Sequence, residues 1–318
     1  MADTTLTLRL TKGSQLTAQE LDDNFTALDS SIDSAAGSLL PNNNTWTGTN
    51  DFTNGLESPG AGANSFRAGS SAGLTTQGIG SVAVGYNAAL TNQADNSLAA
   101  GRSAGQDNQG ATAVAVGYRA GEDTQGESGT AVGFGAGLTS QALGATAIGY
   151  KAGQTTQGQQ ATSVGYLAGF NQQGTGAVAV GMSSGQVSQG TNTVALGRES
   201  GNSAQGNNAV AIGYQAAEDN QGVASVAIGI RAGETSQGES SIAVGNLAGQ
   251  NAQGASSVAV GYNTATDTQG IQAVAVGNQA GKTTQGNYGV AIGFNAGNDS
   301  QGGNGVAVGR DAATTGQG

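Results

Sequence analysis

The sequence predicts an all-β fold, a parallel β-solenoid (β-roll) of sixteen 16-residue coils, preceded by a short N-terminal strand and a coiled-coil helix. Residues 65–318 repeat with a period of sixteen, without insertion or deletion. Gly occupies the fifth position of every unit and Gln the thirteenth. The 57 Gly have no G-X-Y period, which excludes collagen, and the regularly spaced valines argue against disorder.

Three segments precede the repeats. Residues 1–15 predict an attachment strand, because leucines alternate with polar residues in T-L-T-L-R-L-T. Residues 16–40 predict a helix that begins at a capping box formed by Thr17 and Glu20. Residues 41–64 are rich in Asn, Thr and Gly, and we interpret them as a β transition collar before the shaft.

The predicted helix carries a heptad seam. Its apolar residues are spaced alternately four and three residues apart, which is typical of a coiled coil. An amphipathic helix packed on a different partner is the alternative. The coiled-coil interpretation predicts that the seam contacts other copies of the chain through Leu21, Phe25, Leu28 and Ile32.

Each repeat predicts strand, turn, strand, turn. We number the positions from one to sixteen within each unit, starting at Ser65. Positions two to four, V-A-V in the unit that begins at Ala113, suit a strand because β-branched residues favour a pleated surface. Gly at position five predicts a bend, and positions ten to thirteen predict the returning strand. Coils stacked about 4.8 Å apart would give a shaft of about 75 Å.

Position three is predicted to carry the contact between chains. We expect the larger aliphatic residues at positions two and four to face the interior, so position three should face outward. It is nevertheless almost always Ala, which indicates close packing against another surface. The predicted homotrimer interface therefore includes Ala83, Ala115, Ala147, Ala179, Ala211, Ala243 and Ala275.

Position thirteen predicts a structural ladder of side-chain amides, in which each Gln bonds its neighbours in adjacent coils. Binding of a ligand or a surface by these glutamines is the alternative. The ladder would include Gln77, Gln125, Gln173, Gln221, Gln269 and Gln317.

Other recurring side chains are weaker candidates for a site. Aromatic residues recur at position six, where they could hold sugars or pack across a chain boundary. Asp at position eleven lacks the spacing of a calcium-binding repeat and fits solvated turn carboxylates. The adjacent carboxylates of Glu122 and Asp123, and of Glu218 and Asp219, would point to opposite faces of an extended segment, which disfavours glycoside cleavage. We predict no catalytic residue, metal or cofactor.

Composition limits the function classes further. With Cys 0 and His 0, the chain lacks disulfides, thiolate sites and the commonest general base. A net charge of -11 disfavours nucleic-acid binding. The first residues have no basic and apolar leader and no stretch suits a membrane span, so synthesis in the cytoplasm without a signal peptide is expected.

The S-V-A-V-G and A-V-A-I-G strands, followed by turns of small residues, resemble the head repeats of YadA-type trimeric adhesins. That resemblance covers about 80% of the chain by the repeat span and implies a β-roll that associates as a trimer. The unit of this chain is two residues longer than the adhesin head repeat and has a T-Q-G element that the head repeat lacks. Residues 10–28 and 45–56 resemble segments of bacteriophage tail-fibre proteins, which implies a fibre whose N-terminal end attaches to the tail.

Together these observations predict a non-enzymatic tail-fibre shaft in the virion, used for host attachment. Its expected partners are further copies of itself, a tail or baseplate protein at the N-terminus, and a host surface receptor reached directly or through a tip protein. The last unit stops two residues short at Gln317 and Gly318, so a trimmed chain or a separate tip protein is expected. The alternatives are a bacterial trimeric adhesin and a monomeric ice- or surface-binding solenoid.

Overall fold

A computed structural model describes residues 62–316 of the chain. Met1–Gly55 and Leu56–Gly318 form two separate units. The predicted strand of residues 1–15, the predicted helix of residues 16–40 and nearly all of the collar lie outside the described residues, as does Gln317. The predicted seam residues also lie there, namely Leu21, Phe25, Leu28 and Ile32.

The described part is an all-β parallel solenoid of about 15 coils, which confirms the predicted fold class. Positions two to four of successive units form one 16-stranded sheet, called the alanine sheet after the residue at its middle position. Its strands are Phe66–Ala68, Val82–Val84, Leu98–Ala100, Val114–Val116, Thr130–Val132, Thr146–Ile148, Thr162–Val164, Val178–Val180, Val194–Leu196, Val210–Ile212, Val226–Ile228, Ile242–Val244, Val258–Val260, Val274–Val276, Val290–Ile292 and Val306–Val308.

Positions eleven to thirteen form a 13-stranded sheet, called the glutamine sheet. Isolated bridges from Gln77 to Gln93 and from Gln285 to Gln301 extend its pairing by one coil at each end. Its strands are Thr91–Gln93, Asp107–Gln109, Asp123–Gln125, Thr139–Gln141, Thr155–Gln157, Asn171–Gln173, Val187–Gln189, Ser203–Gln205, Asp219–Gln221, Thr235–Gln237, Ala252–Gln253, Thr268–Gln269 and Thr284–Gln285.

The period of sixteen fixes the register of both sheets. Val114 pairs with Thr130, and Gln125 pairs with Gln141, so each residue lies beside the residue at the same position of the next coil. Backbone bonds also join the turns, for example from the N–H of Gly117 to the carbonyl of Ala100 at 2.8 Å. A strand that slipped by one residue would turn its side chains to the opposite face.

The interior is much thinner than we expected from the sequence. Alanines at positions three and eight are buried between the two sheets, and the glutamine side chains fill the remaining space. A Cβ added to Gly105 at position nine would lie 2.8 Å from the amide carbon of Gln109. The interior therefore has room for Ala, Gly and the Gln amide layer, but not for a row of valines.

The predicted direction of the first strand is therefore wrong. Positions two and four face outward, whereas the alanines at position three have no exposed surface in the single chain. Because a fully buried side chain has no area to give to a second chain, these residues cannot form the predicted trimer contact. The correction applies to Ala83, Ala115, Ala147, Ala179, Ala211, Ala243 and Ala275.

Candidate interaction surfaces

The glutamines at position thirteen form an amide ladder inside the solenoid. Each Nε2 donates to the Oε1 of the next glutamine at 2.9–3.2 Å, in an unbroken series from Gln93 to Gln301. The second donor of each amide bonds the carbonyl at position two of its own coil, as from Gln157 to Thr146 at 2.7 Å. The ladder thus ties the two sheets together as well as neighbouring coils.

The ladder includes four of the predicted residues within the described range, Gln125, Gln173, Gln221 and Gln269. Gln77 lies one coil below its start and instead donates to the carbonyls of Phe66 and Ser81, at 2.9 and 3.4 Å. All of these side chains are buried within the chain, so an external ligand cannot reach them.

The outer face of the alanine sheet carries an apolar stripe, defined as the side chains at positions two and four. Within it, Ile148, Leu196, Ile228 and Ile292 remain 38–44% exposed. The stripe follows the sheet from Phe66 to the last described coil without an insertion that would interrupt it. A continuous exposed apolar surface of this kind marks an interaction site more often than scattered apolar residues do.

A column of rings lies beside the stripe, at position six. Tyr118, Phe134, Tyr150 and Tyr166 follow one another with centroids 5.0–5.1 Å apart and interplanar angles of 8–31°. The guanidinium of Arg102 continues the column, lying 5.6 Å from the Tyr118 ring centroid and 5.7 Å from that of Tyr86. Because the rings stack on one another, each ring covers part of the apolar surface of its neighbours.

The outer face of the glutamine sheet is polar and acidic. Carboxylates occur at positions ten and eleven, and several bond side chains one coil away, as Asp107 accepts from Thr91 at 2.5 Å. No group of three or more His, Cys, Asp and Glu within residues 62–316 could hold a metal ion. Glu122 is paired with Arg119, while Asp123 beside it is exposed.

One acidic cluster perturbs a carboxyl group. Burial raises the pKa of Glu218 above its ordinary value, and the charges of Asp219, Glu199 and Glu234 raise it further, while a hydrogen bond from Gln215 acts in the opposite direction. Glu234 is itself compensated by Arg231, at 2.8 Å, and by a hydrogen bond from the Gln250 amide. The four carboxyl groups come from three consecutive coils, at positions seven, ten and eleven.

Comparison of the chain with protein-family models, curated proteins and solved structures finds no match. Among the described residues, no helix has the length and apolar character that a membrane span requires.

Proposed function

We propose that the chain is the structural shaft of a bacteriophage tail fibre, a homotrimer that holds a host-binding end away from the virion. The apolar stripe on the alanine sheet carries this proposal. It gives each coil an outward apolar side chain at position two, at position four or at both, so three parallel copies around a common axis would bury it along the whole repeat.

The stripe replaces the alanines as the contact between chains. In a single chain the residues at positions two and four are only partly covered, as Val116 and Ile148 illustrate. Burying a fully exposed side chain of this size contributes about 1.5–3 kcal/mol, and each partly covered stripe residue would add the fraction that matches its remaining exposed area. Association would therefore stabilise a solenoid whose own core is mostly alanine.

The polar face supports a closed assembly rather than a growing bundle. The glutamine sheet presents acidic side chains such as Asp107, Asp123 and Asp219 on the side opposite the stripe. If the stripes meet at the axis, these carboxylates lie on the outside of the trimer, where like charges of separate fibres repel. Lateral association of such rods would therefore stop once their apolar faces are covered.

The N-terminal segments give the direction of the proposed fibre. Residues 10–28 and 45–56 resemble tail-fibre segments, so the N-terminal end would bind a tail or baseplate protein. The repeats would project outward toward a host receptor, contacted by the fibre or by a tip protein. Gold labelling of the N-terminus in intact particles should mark the tail-proximal end, and labels at the free tip would contradict this direction.

The oligomeric state gives the direct test. Light scattering coupled to size exclusion should give about three times 30.8 kDa for the full chain. The double variant Ile148→Asp and Ile228→Asp should shift the mass toward the monomer, because six carboxylates would enter the contact. Thr235→Asp, on the outer face of the glutamine sheet, serves as the control and should keep the trimer mass.

A stable monomer of the natural sequence would contradict the fibre proposal. Retention of the trimer by the Ile148→Asp and Ile228→Asp variant would show instead that another surface holds the chains together.

A further inference from the structure

We propose that the two long borders of the alanine sheet are complementary, and that the border at positions six and seven of one copy packs in register against position fifteen of the next copy. This inference rests on the proposed trimer and names the contact that sets the order and the height of its chains.

The two borders lie too far apart for their side chains to contact each other within one chain. Each strand of the alanine sheet covers positions two to four, with one turn before it and another after it. The strand with one residue at each end, positions one to five, spans about 13 Å and lies between the two borders. In a cyclic assembly with the stripes at the axis, one border of each copy meets the opposite border of its neighbour.

Charges on the two borders occur at matching heights. The acids at position fifteen are Asp95, Glu127 and Glu239, all exposed, and no ion pair within the described residues involves them. A cation stands at position six or seven of the same coil for Glu127 and Glu239, namely Arg119 and Arg231, and in the next coil for Asp95, namely Arg102. Arg119 and Arg231 also pair with Glu122 and Glu234 of their own chain, so a border acid would join an existing ion pair.

Large apolar side chains show the same matching. Phe134 and Leu143 belong to one coil and are each 45% exposed. In another coil Tyr214 is 40% and Val223 42% exposed. The same pairing recurs in a third coil, at 50% for Tyr262 and 49% for Ile271. Isolated rods would leave both members of each pair in water.

Polar residues complete the pattern. Where position six is Arg198 or Asn278, position fifteen of the same coil is Asn207 or Asn287. Most other coils have Ala, Gly, Thr or Gln at position fifteen, and these side chains do not favour a particular partner at positions six and seven. Apolar, charged and polar coils thus coincide on the two borders, and the occupant that reproduces this order is a second copy of the chain, parallel and at the same height.

Introduced cysteines test the contact directly, because the natural sequence has Cys 0. The full-length variant Phe134→Cys with Leu143→Cys should form covalent trimers after mild oxidation, seen on a denaturing gel without reductant. The two positions cannot close a disulfide within one chain, since that requires Cα atoms within about 7 Å. Tyr150→Cys with Leu143→Cys examines the same contact displaced by one coil.

The matched control is Phe134→Cys with Asn207→Cys, which places the second thiol four coils away, or about 19 Å along the shaft. It should form no covalent trimer. Equal crosslinking of control and test variants, or no crosslinking in a sample whose scattering mass is that of a trimer, would overturn the border contact alone. A monomeric mass would overturn the trimer and the contact together, whereas a crosslinked dimer would support the border contact and overturn threefold assembly.

Discussion

At the scale of single residues, the glutamine at position thirteen has the most demanding environment. Gln157 accepts from Gln141 at 3.0 Å and donates to Gln173 at 3.1 Å, and its side chain is almost completely buried in the interior of the coil. Gln157→Leu would remove the acceptor of the Gln141 amide and the donor to the Thr146 carbonyl, whereas the Gln173 Oε1 keeps its bond from Ser163 at 2.8 Å. A buried polar group left unpaired costs about 1–3 kcal/mol. We expect a clear fall in the urea midpoint of unfolding.

Gln77→Leu is the control for that variant. It makes the same change at the same position of the repeat, but Gln77 lies below the start of the ladder and its Oε1 already has no partner. Its effect should be distinctly smaller than that of Gln157→Leu. Equal effects of the two substitutions would show that the bonds between glutamines contribute little.

Glu218 predicts a local dependence of stability on pH. Because its pKa is raised in the folded protein, folding disfavours the charged form, and the stability associated with the protonated carboxyl is complete below the ordinary value of 4.5. That stability is lost as pH rises through the raised pKa. Glu218→Gln should therefore stabilise the protein at pH 7, by about 0.2–1 kcal/mol for a charge this accessible to solvent.

The measurement is the urea midpoint of both proteins at pH 7 and at pH 4. At the lower pH the natural carboxyl is largely protonated, so the two midpoints should converge. A gain of the same size at both pH values would mean that the substitution acts through packing or hydrogen bonding instead of charge.

At the scale of the element, glycine at position five determines where each strand of the alanine sheet ends. Gly165 has φ +136°, and a Cβ there would lie 2.5 Å from the carbonyl oxygen of Gly181 in the next coil. Gly165→Ala would both strain the backbone and displace the backbone of the next coil at Gly181. It should weaken the pairing of these coils, in which the Gly181 N–H donates to Val164 at 2.9 Å.

Gly309→Ala separates the two effects. Gly309 has φ +120° but nothing within 4 Å of an added Cβ. Its substitution should cost only the backbone strain, about 1–3 kcal/mol. Thermal unfolding should therefore show a larger loss for Gly165→Ala, and losses of equal size would remove the close approach of the coils as the reason for glycine.

The elements also show which parts of the fold can be predicted from the sequence. The period fixes the strands, the bends and the parallel register, because equal positions must meet in stacked coils. The amide ladder is predictable for the same reason. The direction of the first strand is not, since alternation gives two faces and does not state which one is inside.

The interior face of the first strand was assigned by side-chain size, and that criterion gave the wrong face. Placing the larger residues inside is sound for a wide core, but the spacing between these sheets accommodates only small side chains, mostly Ala, opposite the glutamine layer. Position two carried a signal for the correct orientation, because Thr130, Thr146 and Thr162 stand there in successive coils. Polar residues at a supposed interior position indicate an outward face, and the trimer contact moves with them to the stripe.

At the scale of the whole molecule, the solenoid is a one-dimensional array in which each coil contacts only the coils beside it. The stability of such an array is approximately a sum over its coils and the contacts between neighbouring coils, so a deletion that keeps every contact matched removes only one coil's share. Deleting residues 161–176 removes one complete unit and should bring Thr146 beside Val178 and Gln157 beside Gln189. Both pairs keep equal positions of the repeat together, so the fold should persist with a shaft shorter by about 4.8 Å.

Deleting residues 161–175 leaves one residue of that unit behind and serves as the control. From that point every strand would be out of register, the alanines would turn outward, and the glutamine series would be interrupted. Circular dichroism and urea unfolding should show a native-like protein for the 16-residue deletion and a strongly destabilised one for the 15-residue deletion. If both deletions were tolerated equally, the register of the coils would not be what holds this fold together.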